Sequence, residues 1–196
     1  MSPVTHFLAS WMVANVGKLS RRERAAVTIA GVIPDIDGVG AIAQVLTLHS
    51  DHPLMWFSRY HHLLHNLAFA VVVAAVCFAI ARQRWKTALL ALLAFHLHLF
   101  CDLIGARGPD GYGWPIPYLL PFSRAWDLSW SGQWGLNAWP NFVITGVLLV
   151  ATFVLAWRNG YSPLEMVSTK ADAALVGALR QRFGSPRSAV RAAAAS

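Results

Sequence analysis

Charge is what this chain has least of. Charged residues make up 13% of it, against about 25% in a typical soluble domain. Acidic residues are the scarcer kind, 9 against 16 Lys and Arg. Cysteine is nearly absent: Cys77 and Cys101 lie far apart inside apolar runs, and no CxxC pair occurs. That excludes a disulfide scaffold and argues against a thiolate zinc site. The N-terminus carries no basic stretch followed by an apolar run and a small-residue cleavage site, so no removable signal peptide is expected. No internal repeat stands out. What fills the chain instead is apolar: 56% of residues are hydrophobic. The surplus points to a bilayer as solvent.

Three segments are candidates to cross a membrane, at 66–81, 87–104 and 139–157. Each is near the lower limit of roughly 20 helical residues. Two shorter apolar stretches, 4–16 and 25–33, precede them and suit a half-inserted hairpin or a capping bundle. The expected fold is therefore all-α: an integral membrane helical bundle with two short N-terminal helices, about three membrane-spanning helices and a basic C-terminal tail. Residues 1–160 form the membrane domain and 161–196 a cytoplasmic tail. Within that tail, 162–183 has helical apolar spacing through Leu164, Val167, Ala171, Ala174, Leu175, Ala178 and Leu179, and reads as a surface helix lying on the membrane.

Basic residues separate into clusters between the apolar segments rather than forming one stripe. Lys18, Arg21, Arg22 and Arg24 lie between the short helices; Arg82, Arg84 and Lys86 join the first two spans; Arg158 and the tail arginines follow the third. This pattern favours cytoplasmic loops and anionic lipid over nucleic acid. The positive-inside rule then puts both hairpin turns and the C-terminus in the cytoplasm. The stretch 105–138 falls on the opposite side. Its Trp114, Trp126, Trp130 and Trp134, with Trp139, fit an interfacial belt.

Ligand-type residues recur in four places. His98 and Asp102 are four apart on the second span and share a helix face. A carboxylate inside an apolar helix is costly unless paired, so the pair marks a functional site. His61, His62 and His65 crowd the entry to the first span, with Asn66 beside them to orient a ligand or cap the substrate. Asp35 and Asp37 follow Pro34, which ends the short helix before it. Two carboxylates this close repel unless a cation or donor relieves them. Thr5, a candidate N-cap, precedes His6 at the start of the first helix. If the first hairpin turns at its basic cluster, His6 and Asp35 come to the same level as the histidines of the spans. Nitrogen and carboxylate ligands without sulfur point first to zinc, and also suit manganese or iron. The candidate ligands exceed one tetrahedral shell, so one or two ions are expected, at the non-cytoplasmic end. His96 faces elsewhere and reads as packing. His49, Asp51 and His52 have no assigned role.

With those residues in view, the chain resembles the YdjM-like family of inner-membrane metal-dependent hydrolases over about residues 3 to 124. The resemblance rests on Thr5-His6, Pro34-Asp35-Ile36-Asp37, His61 to Asn66, His98-Leu-Phe-Cys-Asp102 and Pro121-Phe122-Ser123. The family's usual third motif is similar to His-Arg-x-x-Thr-His-Ser; here Tyr60-His61, Leu64 and Asn66 depart from it, and His65 is the residue carried over. More distantly, the order of ligands is similar to that of zinc-dependent phospholipase C and the P1-type nucleases. That similarity implies His6, Asp35, His65, His98 and Asp102 as ligands, with Asp102 bridging two metals. The resulting expectation is a multi-pass inner-membrane hydrolase of phosphoester bonds in lipid or lipid-like, amphiphilic substrates. It would use a metal-activated water, with Asp37 or His61 as general base or support. A non-catalytic membrane protein with a structural metal is the alternative, or a metal or proton transporter. Substrate, metal identity, protein partners and oligomeric state stay open.

Overall fold

The structure, a computed structural model, describes residues 1–108 and 111–186. Two compact units divide inside one helix, Met1–Phe142 and Val143–Ser196. In the first unit α1 (Pro3–Ala14) and α2 (Arg21–Ala30) form the N-terminal hairpin. A 3-10 segment, Ile33–Val39, leads to the short α3 (Gly40–Thr47) and α4 (Trp56–Tyr60). Then come α5 (Leu67–Ile80) and α6 (Arg84–Gly105). An antiparallel ribbon follows, of β1 (Ile116–Pro117) and β2 (Asp127–Leu128), in which Ile116 faces Leu128 and Pro117 faces Asp127. Next, α7 (Trp139–Asn159) crosses the boundary between the units, and α8 (Thr169–Phe183) ends the described chain. The all-α membrane bundle expected from the sequence is the architecture seen.

Local chemistry explains the element ends. Ser2, not Thr5, caps α1: its hydroxyl accepts the Thr5 N–H, and Pro3 takes the first turn, where a missing donor costs nothing. Thr5 instead lies buried inside the helix, with its hydroxyl 2.9 Å from that of Ser2. Ser20 and Glu23 make a reciprocal capping box at the start of α2. The other carboxylate oxygen of Glu23 accepts the Gln83 N–H at 2.7 Å, which ties the α1–α2 turn to the α5–α6 turn. Asn66 caps α5, accepting from the Phe69 N–H and donating to the Leu63 carbonyl.

The helices pack on small residues. Ala30, Ala70, Val73, Cys77, Ala91, Phe95, Leu99 and Ile116 form one buried cluster; Val13, Ala14, Leu19, Val27 and Ala94 form a second. Alanines at the contacts let helix backbones approach closely, the habit of helices packed in lipid. Outward-facing Val71, Val72 and Val76 of α5 and Leu89, Leu93 and Phe100 of α6 stay exposed. Apolar surface of that kind is what a membrane protein turns to lipid.

Helices α6 and α7 are long and apolar enough to cross a membrane, with 22 and 21 residues. At about 1.5 Å per residue both cover roughly 30 Å of hydrocarbon. With only 14 residues, α5 is a short apolar helix rather than a span of full length. The third candidate is the pair Arg21–Ala30 and Ile33–Thr47, bent by 54° at the break between them.

In the second unit, Asp172 Oδ1 accepts from both the N–H and the hydroxyl of Ser162, which closes the turn before α8. Arg180 donates to the Trp157 carbonyl and Trp157 to that of Gly184. Asp172 and Val176 are the buried side chains of α8, while Ala171, Ala174 and Ala178 are exposed. The inward face is thus rotated from the stripe the sequence suggests, because Asp172 is drawn in by Ser162. The expected disordered end, 187–196, lies outside the described residues.

Candidate metal centre

Four separate parts of the first unit deliver ligand-type side chains to one place. From α1 comes His6, from the 3-10 segment Asp35, from the turn before α5 His65, and from α6 His98 and Asp102. All of these except Asp35 are almost fully buried.

The break between α2 and the 3-10 segment sets the geometry. Pro34 cannot continue the α2 ladder, so carbonyls near the break are released. One of them, that of Gly31, accepts the Nδ1–H of His98 at 2.9 Å. The carbonyl has only lone pairs, so Nδ1 is the donor, and Nε2 is the ring atom turned towards the carboxylates. That Nε2 lies 3.1 Å from Asp102 Oδ2, 3.6 Å from Asp35 Oδ1 and 3.2 Å from His65 Nε2. His65 Nε2 in turn lies 3.6 Å from Asp102 Oδ2 and 3.8 Å from Asp35 Oδ1. On the other side of Asp102, His6 Nε2 sits 3.1 Å from Oδ1, and its ring stacks on that of His98 with centroids 3.7 Å apart. The α-amino group of Met1 also contacts Asp102 Oδ1.

Gly31 allows this approach. A Cβ there would fall 1.9 Å from Ser10 Oγ, so a side chain would push α1 and α2 apart. Neither the glycine's role nor its carbonyl's has a sequence signal beyond the Gly-x-x-Pro punctuation.

The donor atoms fit a cation. In the first group, His6, Asp35, His98 and Asp102 each offer an atom within 4.8 Å of all the others; Asp35, His61 and His65 form a second such group. Ligand atoms about 2.1 Å from a tetrahedral zinc-type ion stand about 3.4 Å apart, and the 3.1–3.8 Å separations above bracket that spacing. One Asp35 oxygen, Oδ2, is buried without a hydrogen-bond partner among the described residues. Asp35 is the residue common to both groups, while the two oxygens of Asp102 face different histidines, Oδ1 towards His6 and Oδ2 towards His65 and His98.

Behind this cluster stands Asp37. Its Oδ1 is 2.8 Å from His61 Nδ1, and its Oδ2 accepts the Leu64 N–H at 3.1 Å. It lies 3.6 Å from His65 Nδ1. Asp37 therefore orients both histidines from outside the ligand cluster, as the partner of a ligating imidazole commonly does. Burial alone would lower the pKa of His65, but the carboxylates of Asp102, Asp35 and Asp37 outweigh it and push that pKa up to about 11. The site has a strong appetite for positive charge.

An apolar cleft of about 380 Å³ leads to the cluster, with Asp35, His61 and Asp102 among its lining residues. The ring of His61 stacks on Phe57, with centroids 4.4 Å apart, and lies near Trp114. Among the proposed belt residues, Trp114 thus borders the site, whereas Trp126, Trp130 and Trp139 are exposed. Trp134 donates to Asn141. His96 bonds the Leu92 carbonyl and the Tyr118 hydroxyl, a packing role as expected. His49, Asp51 and His52 are exposed beyond α3, outside both ligand groups. Asn66 serves the helix end rather than the cluster. Two contributors have no readable sequence signal: Phe57 under His61, and Gln133, whose amide donates to the Asp102 carbonyl.

No curated protein and no solved structure matches the chain. A family model, that of the YdjM inner membrane protein, matches residues 1–180. The chain belongs to the YdjM inner membrane protein family.

Proposed function

We propose that this membrane protein is a metal-dependent hydrolase of phosphoester bonds in lipid or lipid-like substrates. The observation that carries the reading is the convergence of His6, Asp35, His65, His98 and Asp102 from four separate segments at the end of an apolar cleft. Those five residues would hold the metal, with zinc, manganese or iron all compatible with the donors. A cation held there supplies Lewis acidity and makes water acidic enough to react near neutral pH.

The chain's own groups account for the remaining work. His61 borders the cleft, and Asp37 Oδ1 holds its Nδ1–H. Its Nε2 is then the atom to accept the proton of an attacking water. The water oxygen bonds to phosphorus, the phosphorus–oxygen ester bond breaks, and the alcohol leaves with a proton. Phe57 stacked on the ring fixes its plane. The apolar lining of the approach strengthens the electrostatics at the reacting centre.

The rival readings have less support. A structural metal calls for a closed shell, but Asp35 and Asp102 line an open cleft. A transporter calls for polar groups along the spans. On α7, Asn141 is committed to the carbonyls of Gly105, Gly135 and Leu136, and Thr152 to that of Leu148. The clustered basic residues orient the chain with its tail in the cytoplasm and the site on the other side.

The test is metal analysis of the purified chain, coupled to a screen of phosphoester substrates. Wild type should hold one or two divalent ions and hydrolyse at least one amphiphilic phosphoester. Folded protein with metal but no activity on any ester would reject the reading.

A further inference from the structure

A second cavity lies across Trp114 from the cleft. It measures about 330 Å³, and His62, Tyr112, Trp114, Arg124 and Asp127 line it. Trp114 lines both spaces. The contrast between them is chemical. Apolar residues such as Pro3, Ala41 and Leu136 surround the carboxylates of the cleft. The second cavity has a guanidinium, a carboxylate, an imidazole and a phenol around a smaller apolar share.

The β1–β2 ribbon explains why these groups meet. Pairing of Pro117 with Asp127 brings the second half of the loop back over the first. Arg124 then stands on the connection between the strands. Among the described residues, no ion pair joins Arg124 to Asp127, although both line the same cavity. Opposite charges that share a cavity without pairing are complementary to a ligand that carries both signs.

Resting on the hydrolase reading above, we propose that this cavity is the head-group subsite for a zwitterionic amphiphile, one with a phosphate and an ammonium close together. Arg124 takes the phosphate oxygens through its planar fork of donors. Asp127 takes the ammonium, and the faces of Trp114 and Tyr112 stabilise the same cation. A bare phosphate would satisfy Arg124 but meet repulsion from Asp127. Arg124 and Asp127 are both exposed, so an uncharged head group would gain nothing from either charge, which water already solvates. The apolar tail follows the cleft, and the link between tail and head group passes Trp114, beside His61.

Binding of short-chain lipids to the full chain in neutral detergent tests this, with calorimetry as readout and chelator present so that no turnover occurs. The probes are dihexanoyl phosphatidylethanolamine, dihexanoyl phosphatidylglycerol and dihexanoylglycerol. The expected order has the ethanolamine lipid tightest by about tenfold, the size of one charge-assisted contact. Arg124→Gln should weaken both phospholipids by about tenfold. Asp127→Asn should weaken the ethanolamine lipid alone and abolish the preference. Equal binding of all three lipids, or a preference unchanged in folded Asp127→Asn, would overturn the proposal. Because the readout is binding, discrimination without hydrolysis of any ester would count against the hydrolase reading and leave this subsite standing.

Discussion

Helices α6 and α7 have nearly the same length and the same mean hydropathy, 1.9, yet half of the apolar window of α6 is buried and only 17% of that of α7. Along α6 a stripe of Thr87, Ala88, Ala91, Ala94 and Phe95 packs inward and then continues as His98, Asp102 and Gly105. The outward residues of α7, among them Phe142, Val143, Val147 and Val150, are exposed. The two helices teach that apolarity marks a membrane segment without saying what it does. The candidate site follows the buried stripe that can tolerate ionisable groups, and those groups are tolerated only where other segments bring partners.

The comparison can be broken most decisively on α6. Asp102→Ala removes the carboxylate that His6, His65 and His98 all approach. The expected result is loss of bound metal and of hydrolysis, with a stability loss of about 3–5 kcal/mol from the buried imidazoles left unpaired. His65→Ala should lose metal and hydrolysis as well. Metal content, activity and detergent unfolding check both; a well-folded variant that keeps full activity would refute the assignment.

Next in size is Gly31→Ala on the segment that α6 leans against. Its methyl group would overlap Ser10 and shift the carbonyl that fixes the His98 ring. We expect about 1–3 kcal/mol of destabilisation, read by thermal unfolding, together with weaker metal binding.

Asp37→Asn is expected to be smaller and more selective. It keeps the shape of the side chain but weakens its hold on His61 and His65. Metal affinity or activity should fall about 10–100-fold, the usual cost of losing a ligand's supporting partner, while the unfolding temperature stays close to wild type. An unchanged pH–rate profile in this variant would show that His61 and Asp37 do not act together.

The smallest effect belongs to α7. Val147→Leu adds a methylene to an exposed apolar surface. The stability change should stay within about 0.5 kcal/mol, with metal content unaltered.

Much of this was legible from residue order. The helix-spaced pair His98 and Asp102, the post-proline Asp35, the His61–His65 cluster and the hairpin turned at its basic end together pointed to one level of the bundle. The limits of α6 and α7 followed from their apolar runs; α6 begins a little earlier than the run because Arg84, Trp85 and Lys86 are exposed at its start. What stayed hidden depended on tertiary approach. The two-residue strands are too short to leave an alternating pattern. The role of Gly31 depends on α1 lying against it. That Asp35 belongs to both candidate ligand groups depends on distances that no spacing rule encodes. Asn66 was visible as a polar residue before an apolar run, and its position fits a helix cap better than a ligand.

The most direct test of the central claim is X-ray absorption spectroscopy at the metal edge of the purified, metal-loaded chain. The account predicts a nitrogen and oxygen shell at about 2.0–2.2 Å, with imidazole scattering that diminishes in His65→Ala and no sulfur neighbour. A sulfur shell from Cys101, next in sequence to Asp102, or a spectrum identical in wild type and His65→Ala, would contradict it.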